Sequence, residues 1–203
     1  MAALKASYPA LYRASQFFAA IKAVVLNRAG LTPADEILIT SILTTPAQQH
    51  LFARMSSNDR RHALAVVRTL QQAGYEQTPL LQAALLHDVA KSLGQPIIHR
   101  VIIVLLEAFW PAALKWLSET AGQQMAKASS SYILHAPFSI PSWRRPFFIH
   151  AHHPAIGAAW AKEVACEPLA VKLIARHQEQ LTGEPAGEEE NLLAILQWAD
   201  NLN

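Results

Sequence analysis

A single cysteine, Cys166, stands in a chain of 203 residues. No internal disulfide can form, so a reducing, cytoplasmic setting is expected. A thiolate zinc site, which needs several cysteines, is excluded as well. The chain also lacks any Lys or Arg run that would serve as a nucleic-acid arm, and its net charge is only +2 with histidine neutral. No specific nucleic-acid partner is therefore expected. Long hydrophobic runs are missing too. Residues 97–117 are the most apolar, but His99, Arg100, Glu107 and Lys115 interrupt them. The unbroken part, 101–106, is far too short for a transmembrane helix and at most suits a helix lying on a membrane surface. Near the N-terminus Lys5, Arg13 and Lys22 break the apolar stretch, and no cleavage pattern follows, so no secretory signal is read.

What remains is rich in core material. Hydrophobic residues make up 52% and charged ones 16%, enough for one well-packed domain without disorder. Stretches of Ala and Leu, with no clear apolar–polar alternation, predict helices throughout, punctuated by Gly and Pro. The fold class is thus all-α, a compact array of about eight or nine helices. Residues 1–55 hold no clustered acid or histidine and read as an N-terminal helical extension, while 56–203 form the domain that carries the chemistry. Ser57-Asn-Asp predicts the cap of a helix running to about Ala73, and Pro79 opens one ending near Ser92. Pro154 suits the first turn of a helix following His153, Pro168 opens another through about Glu179, and the run Glu188 to Glu190 begins the last.

The strongest local signal is Leu85-Leu-His-Asp-Val-Ala-Lys91, a His–Asp pair inside an apolar run. A buried carboxylate is costly unless a cation sits beside it, so Asp88 calls for an Arg, a Lys or a metal. Lys91 lies on roughly the same side as Asp88 and could face a bound anion. Helical spacing turns His177 inward along the face of Leu169 and Leu173, and Asp200 along that of Leu193 and Leu196. His62 continues a face with Ala65, Val66 and Thr69, and His153 has Gly157 one turn later, where close packing is permitted. Singly, each histidine suits a hydrogen-bonded core residue. Their concurrence on several helices points instead to a pocket for one or two divalent ions, with Asp88 as the natural bridge. Imidazole and carboxylate donors without thiolates suit Mn, Fe, Co, Ni or Zn.

The succession His62, His87-Asp88, Asp200 resembles the HD-domain superfamily of metal-dependent phosphohydrolases, over about residues 57–203. His153 in His-Pro-Ala-Ile-Gly157 and His177 in Ala-Arg-His-Gln-Glu179 look like the added histidines of the two-metal branch, and His87 to Lys91 like its HD-x-x-K motif. The resemblance implies that His62, His87, Asp88 and Asp200 hold one metal ion, and Asp88, His153 and His177 a second. It casts Asp88 and Lys91 as catalytic, with Lys91 on the substrate phosphate. Arg61, Arg144, Arg145 and His152 are further substrate candidates, and His150 or His135 could also touch substrate. His152 is the substitute for His153 as ligand, while His50 and His99 read as surface or interface residues. The expected activity is hydrolysis of a nucleotide or other small phosphate ester by metal-activated water; the alternative is a non-catalytic sensor of nucleotide or metal on the same scaffold. A homo-oligomer is compatible with either. Two known specificities fit poorly. Gln178 follows His177 where cyclic-di-GMP hydrolases carry a second histidine, with Gly183-Glu-Pro185 in place of their Gly-Tyr-Pro. Val89-Ala-Lys91 stands where alarmone hydrolases place an acidic pair.

Overall fold

A computed structural model describes residues 30–94, 97–118, 141–181, 183 and 185–203, so residues 1–29 of the predicted extension, and His135, lie outside the described residues. The described residues form nine α-helices, one 3-10 segment and no strand, in keeping with the all-α expectation. They are α1 (Pro33–Ile42), α2 (Pro46–Ala53), α3 (Ser57–Gln72), α4 (Thr78–Leu86), the 3-10 segment Val89–Leu93, α5 (Ile97–Phe109), α6 (Pro111–Ser118), α7 (Arg145–Glu163), α8 (Pro168–Arg176) and α9 (Glu188–Leu202). None is long and apolar enough to cross a membrane.

Local chemistry explains where they start. Thr32 and Thr45 each form a capping box, with Asp35 and Gln48 respectively, ahead of a first-turn proline. Ser56 rather than Ser57 caps α3, its hydroxyl accepting from the Asp59 N–H at 3.2 Å. The acidic run does open α9, directly after Gly187.

The centre of the molecule is α4. Every residue from Leu80 to Leu86 is buried, as expected of a helix that is apolar all round. Around it pack α3, α8, α9 and α1, while α7 lies across α8 and the 3-10 segment. Leu43, Leu51, Phe52 and Met55 join the same core, so residues 30–55 are packed into the body of the fold. Buried Gln82 ties this centre together, donating to the Ile42 carbonyl at 3.4 Å and accepting from the Glu167 N–H at 3.0 Å. The apolar segment becomes α5 and α6, which share a smaller cluster, Ile103, Leu114 and Phe147, with α7. Leu105, Phe109, Trp110 and Trp116 face outward there.

Two helix boundaries differ from the sequence expectation. The helix opened at Pro79 stops at Leu86, and a tighter 3-10 segment follows instead of a continuation to Ser92. Pro154 opens nothing: it lies inside α7, whose first turn holds Pro146. Proline is favoured in a first turn, and here the proline that occupies one is Pro146, eight residues earlier.

The end of α7 carries a strained residue. Ala165 has φ 54°, in the left-handed region. The N–H groups of Ala165 and Cys166 bond the carbonyls of Lys162 and Ala161 at 3.1 and 2.9 Å, the pattern that closes a helix with a left-handed residue, usually glycine. A Cβ in that conformation costs about 1–2 kcal/mol, partly offset by the lower entropy of unfolded alanine. Ala165→Gly should therefore stabilise the protein by about 0.5–1 kcal/mol, read as a higher urea midpoint at unchanged slope.

Candidate metal centre

Helix ends build the site. His87 is the first residue beyond α4, and His177 the first beyond α8. The last carbonyls of a helix lack intrahelical partners, and these imidazoles use them. His87 Nδ1 lies 3.0 Å from the Ala84 carbonyl, and His177 Nδ1 2.8 Å from that of Ile174. His153 sits within α7, but Pro154 has no N–H to offer the His150 carbonyl, and His153 Nδ1 bonds that oxygen at 2.8 Å. In all three the Nδ1–H faces a carbonyl three residues back, which aims Nε2 at the pocket.

Stopping α4 at Leu86 also resolves how neighbours 87 and 88 serve one site. On a continuous helix they would diverge by about 100°. Asp88 instead takes φ −103°, ψ 7°, and starts the 3-10 segment. His62 reaches in from α3 and Asp200 from the last turns of α9; Asn203 pins these helices together by donating to the Thr69 hydroxyl at 3.0 Å.

The six side chains expected to bind metal converge as two groups of three: His62, His87 and Asp200, and Asp88, His153 and His177. In the second group His153 Nε2 lies 3.2 Å from His177 Nε2, and these two lie 3.3 and 3.7 Å from Asp88 Oδ1. Donors about 2.1 Å from a common ion sit roughly 3.0 Å apart at right angles and roughly 3.4 Å apart at tetrahedral angles, so the two shorter spacings fit and the His177–Asp88 one, at 3.7 Å, is wider. In the first group Asp200 Oδ1 is 2.8 Å from His62 Nε2 and 3.4 Å from His87 Nε2. Asp88 turns its other oxygen, Oδ2, toward His87 Nε2 at 3.6 Å and Lys91 Nζ at 2.5 Å. One carboxylate thus offers an oxygen to each group.

Charge and burial set the two groups apart. Burial, with the nearby His87 charge, pushes His177 down to about 3, and burial lowers His153 against the pull of Asp88. Both are neutral at pH 7. With Nδ1–H on a carbonyl, each directs an Nε2 lone pair at the other and at the Asp88 carboxylate, three acceptors with no donor between them. Asp88 Oδ1 has no hydrogen-bond partner although buried, and neither does His87 Nε2. A cation satisfies such a set; another hydrogen-bond acceptor cannot. His87 behaves oppositely, because the carboxylates of Asp88 and Asp200 outweigh its burial and raise it to about 9. Burial would raise Asp88, but Lys91 and His87 hold it well below the usual carboxylate range. The His62 and Asp200 side chains are 26% and 34% exposed against 0% for His153 and 4% for His177, so the first group opens to solvent and the second is sealed.

Beside Asp200 and His177 runs a cleft of about 760 Å³. Sequence reasoning missed most of its wall: Glu107, Gln178, Glu179, Gln197 and Asn201 line it. The available signal was adjacency, since Gln178 and Asn201 each follow a residue of the cluster and Gln197 precedes Asp200 by nearly a turn. Gln197 also donates to the His177 and Glu179 carbonyls at 3.0 and 2.8 Å, fixing the chain where α8 ends. His150, considered for substrate contact, lines the cleft and pairs with Glu107 at 3.0 Å. His153, not His152, joins the cluster; the His152 ring lies on Phe148, 4.2 Å between centroids. Arg61, Arg144 and Arg145 are not among the described residues lining the cleft. The Arg144 guanidinium donates to the Trp116 and Leu117 carbonyls at 2.7 and 3.2 Å, closing the end of α6.

Comparison with known proteins gave no matching family model, no matching curated protein and no matching solved structure.

Two outcomes test the geometry. A cation at His87 must displace its proton, so divalent-metal affinity should rise with pH throughout the range below about 9 and level off there, as His87 loses its charge. Calorimetry at pH 7.5 in buffers of different ionisation enthalpy should read about one proton released per chain; no buffer dependence would contradict the His87 assignment. Pro154→Ala should raise the melting temperature by restoring a helix N–H, yet weaken metal binding at the sealed group about tenfold by drawing the His150 carbonyl away from His153.

Proposed function

We propose that this protein is a metal-dependent phosphohydrolase of the HD type, acting on a nucleotide or another small phosphate ester. The observation that carries the reading is the three-acceptor set of Asp88 Oδ1, His153 Nε2 and His177 Nε2, joined through the same carboxylate to His62, His87 and Asp200. The order of those residues along the chain, and the absence of sulfur among the donors, support it further.

His62, His87 and Asp200, and Asp88, His153 and His177, would hold the ions, whose chemistry would be to make water more acidic and to offset charge on phosphoryl oxygens. Asp88 positions both groups at once, and the Lys91 ammonium bonds Asp88 Oδ2; its role on the substrate phosphate rests on the HD-x-x-K pattern, since it is not among the described residues lining the cleft. Asp200 of the open group and His177 of the buried one both line the cleft, which is the route for substrate. No Lys or Arg occurs among the described residues lining that cleft, so the negative charge of a phosphate is answered at the metal centre itself. Burial of His153 and His177 keeps bulk water from the sealed side. The carboxamides of Gln178, Gln197 and Asn201 leave the cleft wall uncharged but able to hydrogen-bond a polar substrate.

The test is elemental analysis of freshly purified protein followed by a phosphoester screen with the metal found. Two equivalents per chain and release of phosphate are expected. Asp88→Asn and His87→Ala should lower turnover by more than about 100-fold, beyond the loss typical of groups behind the ligands, with the helical circular dichroism retained. Less than one equivalent of metal after anaerobic handling, together with no turnover in added Mn, Co or Ni, would sink the proposal. Bound metal and tight nucleotide binding without product would favour a sensor.

A further inference from the structure

The cleft beside the metal centre does not end at its polar wall. A second depression, about 330 Å³, adjoins it and shares two lining residues with it, His150 and Gln178. Its other walls come from α6 and α7: Pro111, Leu114 and Ala151, with Lys115 and Ser118. The surface of the main cleft is chiefly polar, whereas that of the extension is more apolar than polar, with Pro111, Leu114 and Ala151 set among Lys115, Ser118, His150 and Gln178. Resting on the phosphohydrolase reading, we infer that the extension is the subsite for the organic group of the ester, and that this group is apolar and flat, of aryl or nucleobase size.

Continuity and chemistry select that occupant. A phosphoryl group at Asp200 and His177 places its bridging oxygen toward His150 and Gln178, and whatever is attached to that oxygen continues into the apolar walls. A sugar or inorganic phosphate would leave Pro111, Leu114 and Ala151 without a partner, whereas a ring removes their surface from water. Hydrolysis breaks the bond between phosphorus and the bridging oxygen. Water supplies the new oxygen on phosphorus, and one of its protons ends on the departing alcohol, so the extension releases a neutral, apolar product.

The experiment uses the full chain loaded with Mn²⁺ and two esters whose alcohols have nearly the same acidity, ethyl phosphate and benzyl phosphate, so that leaving-group chemistry does not mask binding. Benzyl phosphate should show a kcat/KM about tenfold higher or more, the gain expected for burying a ring face. Ala151 is solvent-exposed on α7, so Ala151→Phe should fold normally, fill the extension and remove the benzyl preference, read as the ratio of the two kcat/KM values. Equal kcat/KM for the two esters, or an Ala151→Phe effect that is the same on both, would overturn the inference. Should neither ester be cleaved, the phosphohydrolase reading fails, and the subsite is judged separately by calorimetry with ethyl- and benzylphosphonate. A benzyl preference lost in Ala151→Phe would uphold it, and equal affinities would end it.

Discussion

The burial of one ionised carboxylate governs this structure. Asp88 lies just beyond a helix that is buried from Leu80 to Leu86, where an unpaired charge would cost several kcal/mol even after relaxation of its surroundings. Lys91 sits on one of its oxygens, His87 carries a compensating proton, and the other oxygen faces two neutral imidazoles. None of these partners is near Asp88 by accident of surface packing. Each is delivered by an element whose termination is fixed by its own sequence, and moving any of them would leave a buried charge without an answer.

Backbone carbonyls do the aiming. An imidazole has two nitrogens, and a pocket that needs Nε2 must occupy Nδ1 elsewhere. Three unrelated places in the chain meet this need alike, by leaving a carbonyl three residues back without its helical N–H. Two do so by ending the helix and one by placing a proline within it. Orientation of the pocket is therefore written into the secondary structure rather than into a shell of polar side chains, and this explains how so apolar a core can surround so polar a cluster.

Much of this was legible in the sequence. The all-α class followed from composition and punctuation, and the six metal-capable side chains came together. For His62, His177 and Asp200 apolar periodicity reported which way the residue points; His87 and Asp88 were marked by the apolar run around them, and His153 by its neighbour Pro154 and Gly157. Periodicity does not report where a helix stops, so the break after Leu86 was unseen, although it is what lets His87 and Asp88 serve one pocket. Proline is ambiguous in the same way. Both Pro146 and Pro154 suit a first turn, and only packing shows that the second is interior. The cleft wall was harder still. Gln178, Gln197 and Asn201 carry no pattern of their own, and Glu107 arrives from a segment whose apolar character drew attention away from its single acid. Arg144 illustrates the converse: an arginine near a candidate pocket was credited to phosphate, while an unsatisfied helix end claimed it.

One position remains where several of these demands meet. A Cβ built on Gly157 would lie 3.4 Å from Ile174 Cγ2, 3.4 Å from Val89 Cγ1 and 3.8 Å from the His87 carbonyl. The helix bearing His153, the helix ending at His177 and the segment begun by Asp88 thus meet within contact distance of one position. A methyl there would sit at ordinary van der Waals distance, but a longer side chain would have to displace at least one of the three. The parts of the chain that carry the sealed group share a wall, and the spacing of that group belongs to the wall rather than to any single helix.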